Sequence, residues 1–111
     1  MGPYGACLGD GSEYSGSYLD KISREDLKTW HLERIRRLSI RKVDVFAVET
    51  IPSVDEALAV IDALDEIPGA VCWISFSCRD GQHTAMGEKL DDVFRKLMQH
   101  PSFRFNNKTT F

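Results

Sequence analysis

Residues 43–56 read Val-Asp-Val-Phe-Ala-Val-Glu-Thr-Ile-Pro-Ser-Val-Asp-Glu, and this stretch decides the fold. The part from 43 to 49 is nearly continuously apolar and rich in β-branched residues, which predicts a strand buried on both faces. Ser53 and Glu56 follow in the capping-box spacing, which predicts the start of a helix. A strand that delivers a carboxylate, Glu49, at its end and turns at once into a helix is a unit of an α/β fold. Functional side chains of such folds collect at that edge of the sheet.

The same alternation continues on both sides of this stretch. Residues 2–20 are rich in glycine and serine, which predicts a loop. Apolar spacing predicts helices over 23–41, 53–66 and 88–98, and a second buried strand is predicted over 71–77. The order is therefore loop, helix, strand, helix, strand, helix. Strands that alternate with helices predict a parallel sheet with right-handed crossovers, that is, an α/β fold.

The composition indicates a globular protein and excludes some kinds of partner. Of 111 residues, 42% are apolar and 28% are charged, and the formal net charge is -3. We therefore expect no nucleic-acid partner, and we interpret the basic cluster within 34–42 as the solvated face and end of a helix. No apolar run approaches the roughly 20 residues that span a bilayer, so we expect no membrane partner.

The cysteines predict a reduced protein. Cys7, Cys72 and Cys78 form no Cys-x-x-Cys pair, which argues against a zinc ribbon. Cys72 and Cys78 lie about 20 Å apart if they share an extended strand. A disulfide needs Cα atoms within about 7 Å, so these two cannot pair in that state. We expect a cytoplasmic location.

Candidate chemistry lies at the predicted ends of the strands. Glu49 ends the first strand, and alternation places Ser75 and Ser77 on one face near the end of the second. Adjacent parallel strands bring Glu49 and Ser77 to the same rim. A carboxylate there can bind a substrate ammonium group through charge-assisted hydrogen bonds. The alternative is a hydrogen bond to a neighbouring loop amide, and the residues alone leave both open.

Three stretches, taken together, resemble the homocysteine S-methyltransferase family. They are Gly-Pro-Tyr-Gly-Ala and Asp-Gly-Ser-Glu-Tyr-Ser-Gly within 2–16, Val-Glu-Thr-Ile-Pro-Ser at 48–53, and Trp-Ile-Ser-Phe-Ser-Cys-Arg-Asp-Gly at 73–81. Their order and spacing also fit. The form with Gly-Ser-Glu-Tyr is more similar to the enzymes that use S-methylmethionine or S-adenosylmethionine than to the betaine-dependent branch.

The resemblance implies a partial (β/α)₈ barrel whose carboxyl-terminal rim binds homocysteine. In that family a zinc ion holds the homocysteine thiolate, and the sulfur attacks the methyl group of a sulfonium donor to give methionine. Glu49 matches the glutamate expected to face the substrate amino group. The implied substrate-binding residues are Glu49, Thr50, Ser77, Tyr14 and Glu13.

The sequence also departs from the family pattern. The family's zinc ligands are cysteines that follow Gly-Val-Asn and Gly-Gly, and neither motif is present. We therefore assign no catalytic residue and no metal ligand to this chain. Residues 1–99 are expected to form the central part of a homocysteine-binding domain, and 100–111 an irregular tail outside the family pattern. We expect a truncated chain that is inactive alone. The alternative is a non-catalytic interaction module that pairs, or self-associates, through exposed sheet edges.

Overall fold

A computed structural model describes residues 1–102 and has the predicted alternation of helices and strands. The elements are a 3-10 turn at Tyr4–Leu8, α1 at Ser12–Ser15, a second 3-10 turn at Ser17–Lys21, α2 at Arg24–Ser39, β1 at Phe46–Ile51, α3 at Val54–Leu64, β2 at Cys72–Phe76 and α4 at Leu90–Gln99. The α/β prediction is confirmed. The prediction of a simple loop over 2–20 is wrong, because three short helical segments occupy that region.

The two strands form a parallel sheet in which Phe46 pairs with Cys72. One face packs on α2, α3 and α4, and its buried core includes Val48, Ile74, Ile35, Val60 and Leu97. On the other face, Trp73 remains 37% exposed. We call this second face, which carries Ala47, Trp73 and Ser75, the open face. The prediction that the first strand is buried on both faces is therefore wrong, because these helices contribute to the core on one side only.

β1 begins and ends later than its apolar pattern predicts. Val43 and Val45 are 38% and 43% exposed and precede the strand. At the other end the pairing with β2 shifts register between Val48 and Ile51. Two residues, 49 and 50, thus stand opposite Ser75 alone, which defines a β-bulge. The bulge returns Ile51 to the buried core, so strand pairing continues past the predicted end at residue 49.

The predicted starts of α2 and α3 are confirmed by their capping hydrogen bonds, whereas α4 begins at Leu90, two residues after its predicted start, without a side-chain cap. Ser23 Oγ accepts from the Asp26 amide at 3.0 Å, and Ser53 Oγ accepts from the Glu56 amide at 3.2 Å. These bonds satisfy amide groups that have no partner inside the first turn of a helix. The second of them places the first turn of α3 directly after the rim of β1.

The last predicted segment is only partly described. Residues 100–102 form a turn in which the Ser102 amide donates to His100 Nδ1 at 3.2 Å. The rest of the predicted irregular tail, from residue 103 to 111, lies outside the described residues. Within the described part of the chain, no helix has both the length and the apolar character that crossing a bilayer requires.

Candidate functional site

Glu49 presents its carboxylate on the open face. Its side chain is exposed, and Oε1 accepts a hydrogen bond of 3.3 Å from Trp73 Nε1. Its backbone amide donates to the Met1 carbonyl at 2.8 Å. Among the described residues, Oε2 accepts no hydrogen bond. The partner of the carboxylate is thus an indole N–H rather than the loop amide of our alternative, and one oxygen remains available to a ligand.

The amino group of Met1 lies against the backbone of β1. The Met1 ammonium donates to the Ala47 carbonyl at 2.6 Å. Burial lowers the pKa of this group, the charge of Arg34 lowers it further, and the charge of Glu49 opposes both. Glu49 therefore acts electrostatically on a cation at the edge of β1.

Thr50 follows Glu49 in a conformation that is rare for its residue type. Its φ is 64°, in the left-handed region, where a β-branched residue is an outlier. The Thr50 amide donates to Ser75 Oγ at 3.3 Å, so a side chain replaces the backbone acceptor that a regular ladder would provide. The bulge and the strained backbone thus involve Glu49 and Thr50, two of the five residues that the sequence predicts to bind substrate.

Ser77 connects the rim of β2 to the N-terminal segment. Its hydroxyl donates to the Tyr14 carbonyl at 3.2 Å, and its amide donates to the Ile51 carbonyl at 2.9 Å. The Tyr14 side chain is 66% exposed. Glu13 is half-buried, and its Oε2 is buried without a hydrogen-bond partner among the described residues.

The five predicted residues therefore fall into separate contacts rather than one cluster. Ser77 meets Tyr14 through the backbone of Tyr14, Thr50 meets Ser75, and Glu49 meets Trp73. Within the described part of the chain, Glu13 forms no hydrogen bond or ion pair with Glu49. Sequence reasoning omitted Trp73, although its position two residues before Ser75 places it on the same face.

A second, buried polar cluster fixes the N-terminal segment over the helices. The Glu56 side chain is fully buried and accepts from the Tyr4 amide at 2.5 Å, from His31 Nε2 at 2.8 Å and from the Tyr18 hydroxyl. Burial raises the pKa of Tyr18, and the hydrogen bond and charge of Glu56 raise it further. Glu56 was predicted only as a capping-box residue. Sequence reasoning missed this cluster because its members come from three distant segments.

The cysteines present do not fit a zinc site. Cys7 and Cys78 are exposed, whereas Cys72 lies on the core side of the sheet. Burial raises the pKa of the Cys72 thiol to about 11, which is opposite to what a metal-bound thiolate needs.

One group of metal-ligating side chains does occur in the described part of the chain. Ligand atoms of Asp62, Asp65 and His100 lie within 4.8 Å of one another. The Asp62 carboxylate already accepts from Arg24 at 2.9 Å and from His100 at 2.6 Å. Because the Arg24 guanidinium occupies one Asp62 oxygen, we interpret these three side chains as part of an ion-pair network.

Comparison with known proteins gives consistent matches. The sequence model described as homocysteine S-methyltransferase matches residues 1–106. A betaine-homocysteine S-methyltransferase of Drosophila melanogaster is 49% identical over 98 residues, which are 87% of this chain and 30% of that protein. The homocysteine S-methyltransferase of Escherichia coli (strain K12) is 40% identical over 101 residues, 91% of this chain and 32% of that protein.

A solved structure agrees with the sequence matches. The metallated form of MmuM, a homocysteine methyltransferase from Escherichia coli, superposes with a TM-score of 0.82 at 40% identity. The superposition covers 91% of this chain and 34% of that one. The chain therefore spans about a third of the length of the proteins that it matches.

Proposed function

This chain belongs to the homocysteine S-methyltransferase family, and from that premise we propose that it supplies the part of the site that binds the amino-acid end of homocysteine. The proposed reaction is methyl transfer from a sulfonium donor to the homocysteine sulfur. In that reaction the homocysteine thiol first loses its proton to solvent, and the thiolate sulfur then forms a bond to the methyl carbon while the donor's carbon–sulfur bond breaks and its electron pair returns to the donor sulfur. Methionine and a neutral sulfide are the products.

The observation that carries the proposal is the environment of Glu49. The carboxylate lies exposed on the open face, the Trp73 indole holds one oxygen, and the other oxygen faces no donor among the described residues. A carboxylate that keeps one free oxygen can receive an ammonium group in a charge-assisted hydrogen bond. The hydrogen bond from the Ser77 hydroxyl to the Tyr14 carbonyl supports a rim loop beside the proposed amino-acid site.

The barrel architecture and the donor class belong to the same proposal. We infer that β1 and β2 are neighbouring strands of a (β/α)₈ barrel, with residues 1–99 in its homocysteine-binding part, and the TM-score of 0.82 supports this. The open face would then point into the barrel, where such folds keep their substrate groups at the carboxyl-terminal rim. The relatives' names differ on the donor, since one specifies betaine. S-methylmethionine or S-adenosylmethionine is proposed here on the Gly-Ser-Glu-Tyr motif.

Titration calorimetry of the 111-residue chain with L-homocysteine tests the proposal. We expect binding that Glu49→Gln weakens at least about tenfold, the loss of one charge-assisted hydrogen bond. The matched control is Glu33→Gln, which changes an exposed glutamate paired with Arg37 on α2. A second control is 4-mercaptobutanoate, which lacks only the amino group. A role for Glu49 in ammonium recognition would be contradicted if L-homocysteine and 4-mercaptobutanoate bound equally well. It would also be contradicted if Glu49→Gln and Glu33→Gln bound L-homocysteine equally well.

A second candidate function is an interaction module without catalysis. Val71 and Trp73 are 42% and 37% exposed at the start of β2 and on the open face. Exposed apolar strand residues favour pairing with another chain. Sedimentation velocity between low and high micromolar concentration distinguishes the candidates. A concentration-dependent dimer supports the module, whereas a folded monomer at all concentrations argues against it.

A further inference from the structure

The β-bulge at residues 49 and 50 is fixed from both sides. Val48 and Ile51, which flank it, are fully buried in the core. Between them Thr50 takes its left-handed conformation with φ at 64°. A strained conformation of this kind persists only where the surrounding structure enforces it. Such bulges commonly redirect a side chain next to a functional site.

Ser75 is the residue that holds the bulge from the neighbouring strand. Its hydroxyl accepts from the Thr50 amide at 3.3 Å. In regular strand pairing the Thr50 amide would donate either to a backbone carbonyl or to solvent. Ser75 also lies two residues after Trp73, whose indole holds Glu49 Oε1. One strand therefore fixes both the backbone after Glu49 and the carboxylate itself.

The bulge also shifts the alternation of side chains along β1 by one residue. In a regular strand, Thr50 would point to the core side and Ile51 to the open face. The observed burial is reversed, because Ile51 is fully buried and Thr50 is half-buried beside Glu49. Glu49 and Thr50 thus stand opposite Ser75 together, and the Thr50 amide contacts the Ser75 hydroxyl.

We propose that the bulge at Glu49 and Thr50, held by the Ser75 hydroxyl, positions the Glu49 carboxylate to bind the ammonium group of the amino-acid substrate. Ser75 is a positioning residue in this proposal, because it acts through Thr50 and Glu49. The proposal rests on the proposed function, since it needs an amino-acid substrate at Glu49. It adds Ser75 and Trp73 to the determinants of that site.

The test compares Ser75→Ala with Ser75→Thr in the 111-residue chain. Ser75→Ala removes the acceptor of the Thr50 amide, whereas Ser75→Thr keeps a hydroxyl at the same position. We expect Ser75→Ala to weaken L-homocysteine binding about five- to tenfold, the effect of one hydrogen bond. Ser75→Thr should restore most of the affinity. Binding of 4-mercaptobutanoate, which has no ammonium group, should be the same in all three proteins.

A nuclear magnetic resonance measurement reports the carboxylate position without a ligand. The chemical shift of Trp73 Nε1–H depends on the hydrogen bond to Glu49. The Glu49→Gln variant therefore gives the chemical shift of this resonance when the charged acceptor is absent. In Ser75→Ala this resonance should move towards the Glu49→Gln position, and in Ser75→Thr it should stay near that of the parent. Circular dichroism confirms that each variant remains folded.

The outcomes separate this inference from the proposed function. If Glu49→Gln loses homocysteine binding but Ser75→Ala keeps both the affinity and the indole resonance, the positioning role is overturned and the proposed function stands. An equal loss of affinity for homocysteine and 4-mercaptobutanoate in Ser75→Ala would show a general structural effect and would also overturn the positioning role. If the parent binds no homocysteine, both proposals fail together.

Discussion

Replacing Glu56 by alanine should destabilise the fold more than any exposed substitution. The side chain is fully buried and accepts three hydrogen bonds, from the Tyr4 amide, His31 Nε2 and the Tyr18 hydroxyl. In Glu56→Ala all three donors lose this acceptor, and the donors of His31 and Tyr18 are buried. Each buried donor left without a partner costs about 1–3 kcal/mol. Breaking a buried charged cluster by removal of one member costs about 3–5 kcal/mol in total.

Urea unfolding measures this effect. With a slope of about 1–2 kcal/mol per molar urea for a small domain, the midpoint should fall by roughly 2–3 M. Glu33→Ala is the matched control, because it also replaces a helical glutamate, one whose side chain is 64% exposed beside Arg37. Its cost should be about 0.5 kcal/mol or less. Tyr18→Phe removes only one of the donors and should cost about 1–2 kcal/mol.

The result that refutes this reasoning is specific. If Glu56→Ala and Glu33→Ala lower the free energy of unfolding by amounts within about 1 kcal/mol of each other, the buried cluster does not stabilise the fold as described. A double-mutant cycle between Tyr18→Phe and Glu56→Ala adds a second check. The two residues touch, so the costs should be strongly non-additive. Additive costs would show that the hydrogen bond between them contributes nothing.

The remaining predictions concern stability at alkaline pH, the close approach of Gly5 to Tyr18, and ligand binding at Glu49. Burial raises the pKa of the Cys72 thiol in the folded state to about 11. The stabilisation that comes from keeping this thiol protonated is therefore complete when the pH is below the thiol's ordinary pKa, and it is lost as the pH rises towards 11. Urea midpoints measured from pH 7 to 10.5 should therefore fall, and Cys72→Ala should flatten the decline; an unchanged slope would contradict this. Gly5→Ala would place a Cβ 2.3 Å from Tyr18 Cε1 and should cost about 1–3 kcal/mol, whereas the control Gly81→Ala meets no atom within 4 Å and should cost little. Equal thermal midpoints for the two glycine variants would exclude that close contact. Glu49→Gln and Ser75→Ala should weaken homocysteine binding, as described above, without a comparable loss of stability.

The local elements were predictable because their causes lie within a few residues. Ser53 caps α3 through the Glu56 amide three residues later, and the capping spacing is visible in the sequence. The strand ends were less predictable. Val43 and Val45 continue the strand pattern but lie outside the sheet, because strand pairing and not residue type determines where a strand begins.

The geometry of the site was only partly predictable. Alternation predicts Ser75 and Ser77 on one face; Ser75 lies within β2, whereas Ser77 follows the last residue of that strand, Phe76. The bulge could not be foreseen, since nothing in Glu-Thr-Ile requires Thr50 to adopt a positive φ. It arises from the simultaneous burial of Val48 and Ile51 against the helices, which is a tertiary constraint. The Glu56 cluster has the same origin, because Tyr4, Tyr18 and His31 meet it from distant segments.

Two carboxylates within one strand–turn–helix unit therefore have opposite roles. Glu49 lies exposed on the open face and has one oxygen held by an indole, so it can gain a partner. Glu56, seven residues later, is fully buried and already accepts three hydrogen bonds, so it has no capacity for a ligand. Residue type and chain position do not distinguish them, whereas exposure and the number of donors do. Substitution of Glu49 should consequently change ligand binding with little change in stability, and substitution of Glu56 should reduce stability first. A Glu49 variant that unfolds as readily as a Glu56 variant would contradict this division.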